Sequence, residues 1–273
     1  MSTFQCTIAR TAREIRDAQR VRWRVYGEEE KLLPASAGVG GIEIDARDDR
    51  DDTIHFVVYA AGEAVGTVRL LQADGAAAGD GGRLGLELES KLELGGLIAP
   101  GVVPAEITRY CVLRRYRCTG VTRALLSGLR DESERRGITH WVAGANMETD
   151  FAEDAALAYR VAHDKDLISR HFHAEAHIAH PGRTARTRPC YTAEQRLRAQ
   201  GGDRAGLELP RVLSLFSRWM GARFIGAPVY DAYFNVFALP LVAALGDIAA
   251  RRGEPPRPTR GESWAAEQDR RQE

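Results

Sequence analysis

The amino-acid sequence predicts an α/β layered domain, and three observations lead there. From residue 53 onward, strand-like and helix-like stretches alternate. The β-branched and aromatic run Thr53-Ile-His-Phe-Val-Val-Tyr-Ala60 turns at Ala61-Gly62 and returns over Glu63 to Leu71 as a hairpin. Ala105 to Leu113, Glu106 and Arg109 apart, has apolar or neutral residues on both faces, the pattern of a strand covered on both sides of a sheet.

Before the hairpin, Phe4 to Ala9 alternates as a short strand. Thr11-Ala-Arg-Glu14 has the spacing of a capping box, and Ile15, Ala18, Val21 and Val25 recur at helical intervals. This predicts an amphipathic first helix ending near Glu30. Leu33 to Gly41, with its proline, serine and glycines, reads as a loop, and the acidic run Asp45 to Asp52 leads into the hairpin. Gln72 to Gly82, rich in Gly, Ala and Asp, is expected to be a mobile surface loop. After the strand at 105–113, Arg114 to Gly120 is a basic loop. Val121, Ala124, Leu125 and Leu129 then form a helical stripe closed by Gly137. Thr139 to Ala145 reads as a strand, and Phe151 to Ser169 and Leu209 to Gly221 as helices. Apolar strand segments follow near 222–228 and 234–241. Residues 251–273 are Pro-rich and polar in both signs, so they are expected to form a disordered tail beside a single domain over 1–250.

Composition narrows the function. The 273 residues are 44% hydrophobic and 28% charged, an ordinary globular balance that excludes a fibre or a repeat array. Lys+Arg and Asp+Glu both number 38, so no global positive field draws nucleic acid to the surface. Cys6, Cys111, Cys118 and Cys190 show neither CxxC spacing nor a disulfide framework. Met1 to Gln5 carries no basic segment followed by an apolar run, so a cytoplasmic enzyme is expected. The apolar stretch 234–250 is broken by Asn235, Pro240 and Asp247 and falls short of the roughly 20 residues of a spanning helix, so it reads as core. His171, His173, His177 and His180 have no Cys or Glu partner at zinc spacing, so no metal is expected.

The most informative junction is Arg117-Cys-Thr-Gly120-Val-Thr122, between a strand and a helix. Free backbone N–H groups at a helix N-terminus hold phosphate, glycine admits close approach, and Arg115, Arg117 and Arg123 add positive charge. On its own this is also the description of an ordinary strand-to-helix turn with solvated arginines.

The order strand, Arg-x-x-Gly-x-Thr loop, helix resembles the pantetheine pyrophosphate loop of the GNAT superfamily, with Thr122 in place of the usual final small residue. A second resemblance lies upstream. Arg24 within Val21-Arg-Trp-Arg-Val-Tyr26, Asp45 and Asp48, Arg69 within Gly66-Thr-Val-Arg69, and Glu106-Ile-Thr-Arg109 look like the ordered motif set of the acyl-homoserine-lactone synthases. The back half departs from those enzymes. Leu209-Pro-Arg-Val-Leu, Trp219-Met-Gly-Ala-Arg-Phe, Gly226-Ala-Pro-Val-Tyr-Asp231 and Phe234-Asn235 are more similar to ornithine-lipid N-acyltransferases and long-chain N-acyl amino acid synthases.

These resemblances imply a GNAT fold, a mixed central sheet with splayed central strands flanked by helices. They imply an N-acyltransferase that moves a fatty acyl group from acyl carrier protein, or coenzyme A, to a primary amine of an amino acid or peptide. The donor would be an acyl-phosphopantetheine co-substrate, with no tightly bound cofactor. Glu106 would be the general base, since a lysine-like amine with an ordinary pKa near 10.4 is protonated at neutral pH. Arg109 and Tyr159 complete the catalytic set, Tyr159 as acid for the departing thiolate. Cys111, Val112, Leu113, Arg117, Cys118, Thr119, Gly120, Val121 and Thr122 would hold the donor arm, and a backbone N–H within 67–70 would receive the oxyanion. Arg24, Asp45, Asp48 and Arg69 would form an ion-pair network over the acceptor pocket. Strict alternation puts Glu106 and Arg109 on opposite faces, so either a bulge intervenes or Arg109 is structural. Arginines at 114, 115, 117, 130, 135 and 136 would face an acidic carrier protein. Two other readings stay open: an acyl-homoserine-lactone autoinducer synthase using S-adenosylmethionine, and a non-catalytic module that binds acyl thioester or carrier protein.

Overall fold

A computed structural model describes residues 4–73, 83–177 and 184–250. The expected tail at 251–273 and nearly all of the loop at 72–82 lie outside those residues. Strand β1 (Gln5–Ile8) leads into helix α1 (Ala12–Trp23), which opens on the expected capping box: Glu14 N donates to Thr11 Oγ1 at 3.2 Å and Thr11 N to Glu14 Oε2 at 2.9 Å. The helix does not stop at Trp23 but loosens into a π-helical turn over Arg24–Glu29.

The hairpin is present as β2 (Thr53–Ala60) and β3 (Glu63–Gln72). The later segments are β4 (Leu92–Glu93), β5 (Pro104–Val112), α2 (Val121–Arg135), β6 (His140–Asn146), α3 (Ala152–Asp164) and β7 (Glu175–Ala176). They are followed by α4 (Ala193–Gln200), α5 (Arg211–Met220), β8 (Arg223–Phe224), β9 (Val229–Asp231), β10 (Val236–Ala244) and α6 (Leu245–Ala250). The third helix ends five residues before the expected Ser169.

The main sheet runs β1-β2-β3-β5-β6-β10-β8, with β9 also on β10; β4 and β7 form a separate pair. Every ladder in the main sheet is antiparallel except β5 on β6. Alternate residues of the strands feed two apolar clusters. Ala105, Ile107, Trp141, Ala143 and Ala145 join the larger one, with Val121, Leu125 and Leu129 of α2, Leu157 and Val161 of α3, and Leu213 and Phe216 of α5. Leu71 and Val142 join the other with Leu84, Leu86 and Leu88. Helix α2 comes unusually close to β3, because a Cβ at Gly66 would lie 2.6 Å from Val121 Cγ1. Among the described residues no helix is long and apolar enough to cross a membrane.

Candidate active site

The parallel pair β5 and β6 is joined only at Pro104–His140, Ala105–Trp141 and Glu106–Val142. Beyond Glu106 the two strands run on without a shared ladder, so the backbone edge of β5 turned toward β6 has no strand partner there. Glu106 sits at the vertex. Its neighbours in register are Leu71 on β3 and Val142 on β6, both in the second apolar cluster, and the side chain is 2% exposed. Its Oε2 accepts the Leu88 N–H at 3.1 Å. Burial, and then the neighbouring Glu87 carboxylate, push its carboxyl up to about 8.

The two motif residues on β5 do meet on one side, and a bulge is the reason. Opposite Thr67 to Arg69, β3 uses one residue, Val68, where β5 uses two, Arg109 and Tyr110. Arg109 takes up the extra residue with φ 54°, a left-handed conformation uncommon outside glycine. Its guanidinium then reaches Glu43 Oε1 at 3.2 Å, Glu87 Oε1 at 3.2 Å and Asp45 Oδ2 at 2.6 Å. Arg69 meets two of these carboxylates from β3, Asp45 Oδ1 at 2.8 Å and Glu87 Oε2 at 2.6 Å, and adds Asp48 Oδ1 at 3.0 Å. From α1, Arg22 lies 2.5 Å from both Asp48 and Glu43; the Glu43 contact is a meeting of charges outside hydrogen-bond geometry. Tyr233, carried in by the turn between β9 and β10, donates its hydroxyl to Glu43 Oε1 at 2.9 Å and covers Arg109 with its ring at 5.4 Å. Burial works against charge on Asp48 and Asp45. The Arg22 hydrogen bond on the first, and Arg109 then Arg69 on the second, nevertheless hold both below the usual carboxylate range.

Asp45, Asp48 and Arg69 are therefore in one network, as expected, but Arg24 is not. It pairs with Glu63 Oε1 at 2.6 Å, with 34% of its side chain exposed. Positions 22 and 24 are roughly 200° apart around a helix, so the helix that buries Arg22 turns Arg24 outward. Arg22, Glu43, Glu87 and Tyr233 had no place in the sequence reading.

The donor side is built differently. Residues 118–120 are exposed at the start of α2, where Gly120 supplies no side-chain cap and Val121 N makes a long 3.4 Å bond to Thr119 Oγ1. Gly120 has ordinary helical torsions, and a Cβ there would lie 2.9 Å from the Phe4 ring. The missing side chain thus makes room for Phe4. Thr122 points inward, its Oγ1 accepting Tyr110 Oη at 2.8 Å, so it does not obstruct the loop. Arg117 bonds Val112 O at 3.1 Å and lies 2.7 Å from Glu30 and 3.4 Å from Glu29; Arg115 and Arg24 share Glu63. At the outer end of the cleft a cavity of about 380 Å³ is lined by Met147, Glu148, Cys190, Tyr191, Pro210 and Arg211, among others. Glu148 has φ 58° and reaches solvent there, while the atoms packed around it and then Glu30 push its carboxyl above the usual range.

The comparisons with known proteins agree with this geometry. Residues 21–127 match the family described as Acetyltransferase (GNAT) domain. Over those residues the chain is similar to GNAT domains. Two curated relatives extend the likeness. One is an L-ornithine N(alpha)-acyltransferase of Agrobacterium fabrum, 28% identical over 268 residues, covering 92% of this chain and 84% of the relative. The other, of the same description, is from Rhizobium meliloti, 28% identical over 261 residues and covering 92% and 83%. The solved structure of FeeM, an N-acyl amino acid synthase from uncultured soil microbes, matches with a TM-score of 0.50 at 10% identity, over 91% of this chain and 95% of that one. At that identity it is the fold that is shared. The domain match and the two relatives support an acyltransferase enzyme.

The structure departs from two sequence expectations about the site. The parting lies between β5 and β6, whereas Thr67, Arg69 and Leu70 are in register with both β2 and β5 and Val68 with β2 alone. The Leu113 N–H is bonded to Val65 O at 3.0 Å, so it cannot serve a donor arm, and Cys111 turns a buried thiol, pushed up to about 12 by burial, into the core. Tyr159 lies on α3, half-buried against the larger apolar cluster. Arg130, Arg135 and Arg136 pair with Glu134 and Glu132, and among the described residues no group of three or more His, Cys, Asp or Glu could hold a metal.

Proposed function

We propose that this chain transfers an acyl group from the phosphopantetheine thioester of an acyl carrier protein to a primary amine of a cationic amino acid. L-ornithine, in the names of both curated relatives, is the first candidate acceptor. The observation that carries the reading is the Glu106 carboxyl, buried at the point where β5 and β6 part, with a proton affinity raised to about 8. Such a carboxylate takes the proton of an ammonium, directly or through one water. The freed nitrogen attacks the thioester carbon, and the carbonyl electron pair moves to oxygen. Unpaired amides on the β5 edge receive that oxyanion, and collapse breaks the C–S bond and releases the thiolate while the attached nitrogen sheds its second proton to solvent to become the amide. Tyr159 remains the candidate donor of the thiolate's proton.

Charge supports both partners. In the acceptor network four carboxylates (Glu43, Asp45, Asp48, Glu87) face three guanidiniums (Arg22, Arg69, Arg109), and the unmatched negative charge suits a cationic acceptor. In the donor loop Arg114, Arg115 and Arg117 already meet Glu29, Glu30 and Glu63. What positive charge remains suits the single phosphodiester of a carrier-protein arm better than the several phosphate charges of coenzyme A. The cavity beside Glu148 offers the arm its room.

The test supplies acyl carrier protein or acyl-coenzyme A thioesters with ornithine, lysine, neutral amino acids or S-adenosylmethionine, and reads thiol release and product mass. Acyl-ornithine from the carrier-protein arm is expected, and Glu106→Gln should lower turnover about 100- to 10,000-fold. Full activity of that variant across pH 6 to 8, roughly the range over which such a base titrates, would remove Glu106 as base. Lactone from S-adenosylmethionine would move the chain to the autoinducer reading. Thioester binding with no thiol release for any amine would make it a binding module.

A further inference from the structure

The base is not alone at the vertex. The short 3-10 turn Glu87–Ser90 lies across it, with both the Glu87 and Leu88 N–H groups directed at the Glu106 carboxylate, the second at 3.1 Å. The turn is pinned from several sides. Glu89 reaches back to Leu84 N at 2.7 Å and Leu86 N at 3.0 Å, Ser90 Oγ donates to Glu87 O at 2.7 Å, and Leu86 and Leu88 are buried. The Glu87 carboxylate is fixed in turn by Arg69 at 2.6 Å and Arg109 at 3.2 Å. A surface glutamate would swing away from a neighbouring carboxylate. This one is tied down beside it.

Resting on the assignment of Glu106 as base, we propose that Glu87 is the positioning residue of that base: held by Arg69 and Arg109, its carboxylate keeps a negative charge beside Glu106 and makes Glu106 a stronger proton acceptor. The charged groups that face Glu106 are Glu87 and, more weakly, Arg47, whose Nη1 is bonded to Gly85 O at 3.1 Å. Burial disfavours the ionised form, Glu87 adds to that, and the two amides and Arg47 oppose it. The same residue joins the two halves of the acceptor site. Glu87 is a carboxylate of the Arg69–Arg109 network that also borders the base, so the position of the arginines and the strength of the base are set together.

Removing the charge has a definite sign. Glu87→Gln deletes the repulsion and leaves Arg69 and Arg109 each short of a partner, and both changes stabilise ionised Glu106. The acid limb of the kcat/KM profile should move down by about one pH unit or more. The plateau should fall by less than about tenfold, because the base is weaker yet still present. Glu87→Asp, which keeps the charge one methylene farther back, should lie between Glu87→Gln and the unsubstituted chain. A purely structural Glu87 would change the height of these profiles without moving the limb. The experiment therefore records kcat/KM against pH for the full chain, Glu87→Gln, Glu87→Asp and Glu106→Gln, after confirming by thermal melts that each is folded. If Glu106→Gln is inactive and the limb of Glu87→Gln does not move, the role of Glu87 is overturned while the base assignment stands. If Glu106→Gln is fully active, both fall. Should Glu87→Gln not fold, the limb of Glu87→Asp decides: a downward displacement supports the proposal and an unmoved limb overturns it.

Discussion

On the acceptor side Arg22, Arg69 and Arg109 are each at most 7% exposed, and every guanidinium touches at least two carboxylates. On the proposed donor side Arg114 and Arg115 are more than half exposed and meet Glu30 and Glu63, while Arg117, 15% exposed, holds a partly buried pair with Glu30. The same two chemical groups behave differently in these settings. A buried ion pair is strongly destabilising to break, because the surviving partner is left charged and dry. A solvated pair contributes little and is readily exchanged. The proposed acceptor side is thus a fixed frame, of the kind that would hold a small amine at a set distance from Glu106. The proposed donor side could trade a glutamate for a phosphate, as an arm that enters and leaves would require.

The largest expected effect attacks the fixed frame. Arg22→Leu leaves Glu43 and Asp48 buried without their shared guanidinium, and should cost about 3–5 kcal/mol of stability in denaturant unfolding at neutral pH. The pH dependence adds a check. Asp48 is held below its ordinary range in the folded chain, so its stabilisation is full above that range and is lost as pH falls. Much of that acid-side loss should be missing from Arg22→Leu. Glu106 has the opposite sign. Its folded value is raised to about 8, so its contribution is full below the ordinary glutamate range and is lost as pH rises toward 8. Melts of Glu106→Gln should therefore gain on those of the unsubstituted chain from about pH 5 to about pH 8, and no further gain is expected beyond.

The two sides also differed in how far they could be read from residues alone. Local signals carried the frame of the fold. The Thr11–Glu14 capping box, the hairpin turn at Ala61-Gly62 and the helical stripe from Val121 appear where periodicity and turn chemistry put them. Short strands made by tertiary pairing, β4 with β7 and β9 on β10, have too few residues to show a period. In the site, pattern pointed the wrong way at Glu43. Within Ile42-Glu-Ile44 the isoleucines are the natural core residues, yet Glu43 is fully buried and Ile44 is 59% exposed. The inversion exists because Arg22, Arg109 and Tyr233 converge from positions far apart in the chain, which no local period records. Glu87 was hidden for another reason. In Leu86-Glu-Leu88 it takes the polar side of an ordinary alternation, but that side faces guanidiniums. The bulge at Arg109 was legible as a contradiction, since two residues meant for one site fell on opposite faces of an ideal strand.

A middle-sized effect tests exchange on the donor side. Arg117→Ala removes a guanidinium shared among Glu30, Glu29 and the Val112 carbonyl. If that group also meets the donor phosphate, the KM for the acyl donor should rise about tenfold, the size of one charge-assisted hydrogen bond, with kcat largely kept. The KM for the amine should not change. Equal loss for both substrates would mean that the donor loop is as much a part of the fixed frame as Arg22 is.

The smallest expected effect sharpens the contrast most, because its sign runs against intuition. Glu63 holds Arg24 at 2.6 Å and also pairs with Arg115, with 41% of its side chain exposed. Glu63→Gln breaks two ion pairs at once, yet both are solvated, so the stability change should stay within about 1 kcal/mol. The released arginines add positive charge beside the donor loop. The KM for a carrier-protein donor should therefore fall, by roughly two- to threefold at low salt, and return to that of the unsubstituted chain as ionic strength rises and the Debye length shrinks to about 8 Å. A substitution that breaks ion pairs and improves donor binding is the expected behaviour of a site whose positive charge is held in reserve. A loss of stability on the scale expected for Arg22→Leu would instead show that the surface pairs brace the fold, and the division between a fixed acceptor side and an exchangeable donor side would not hold.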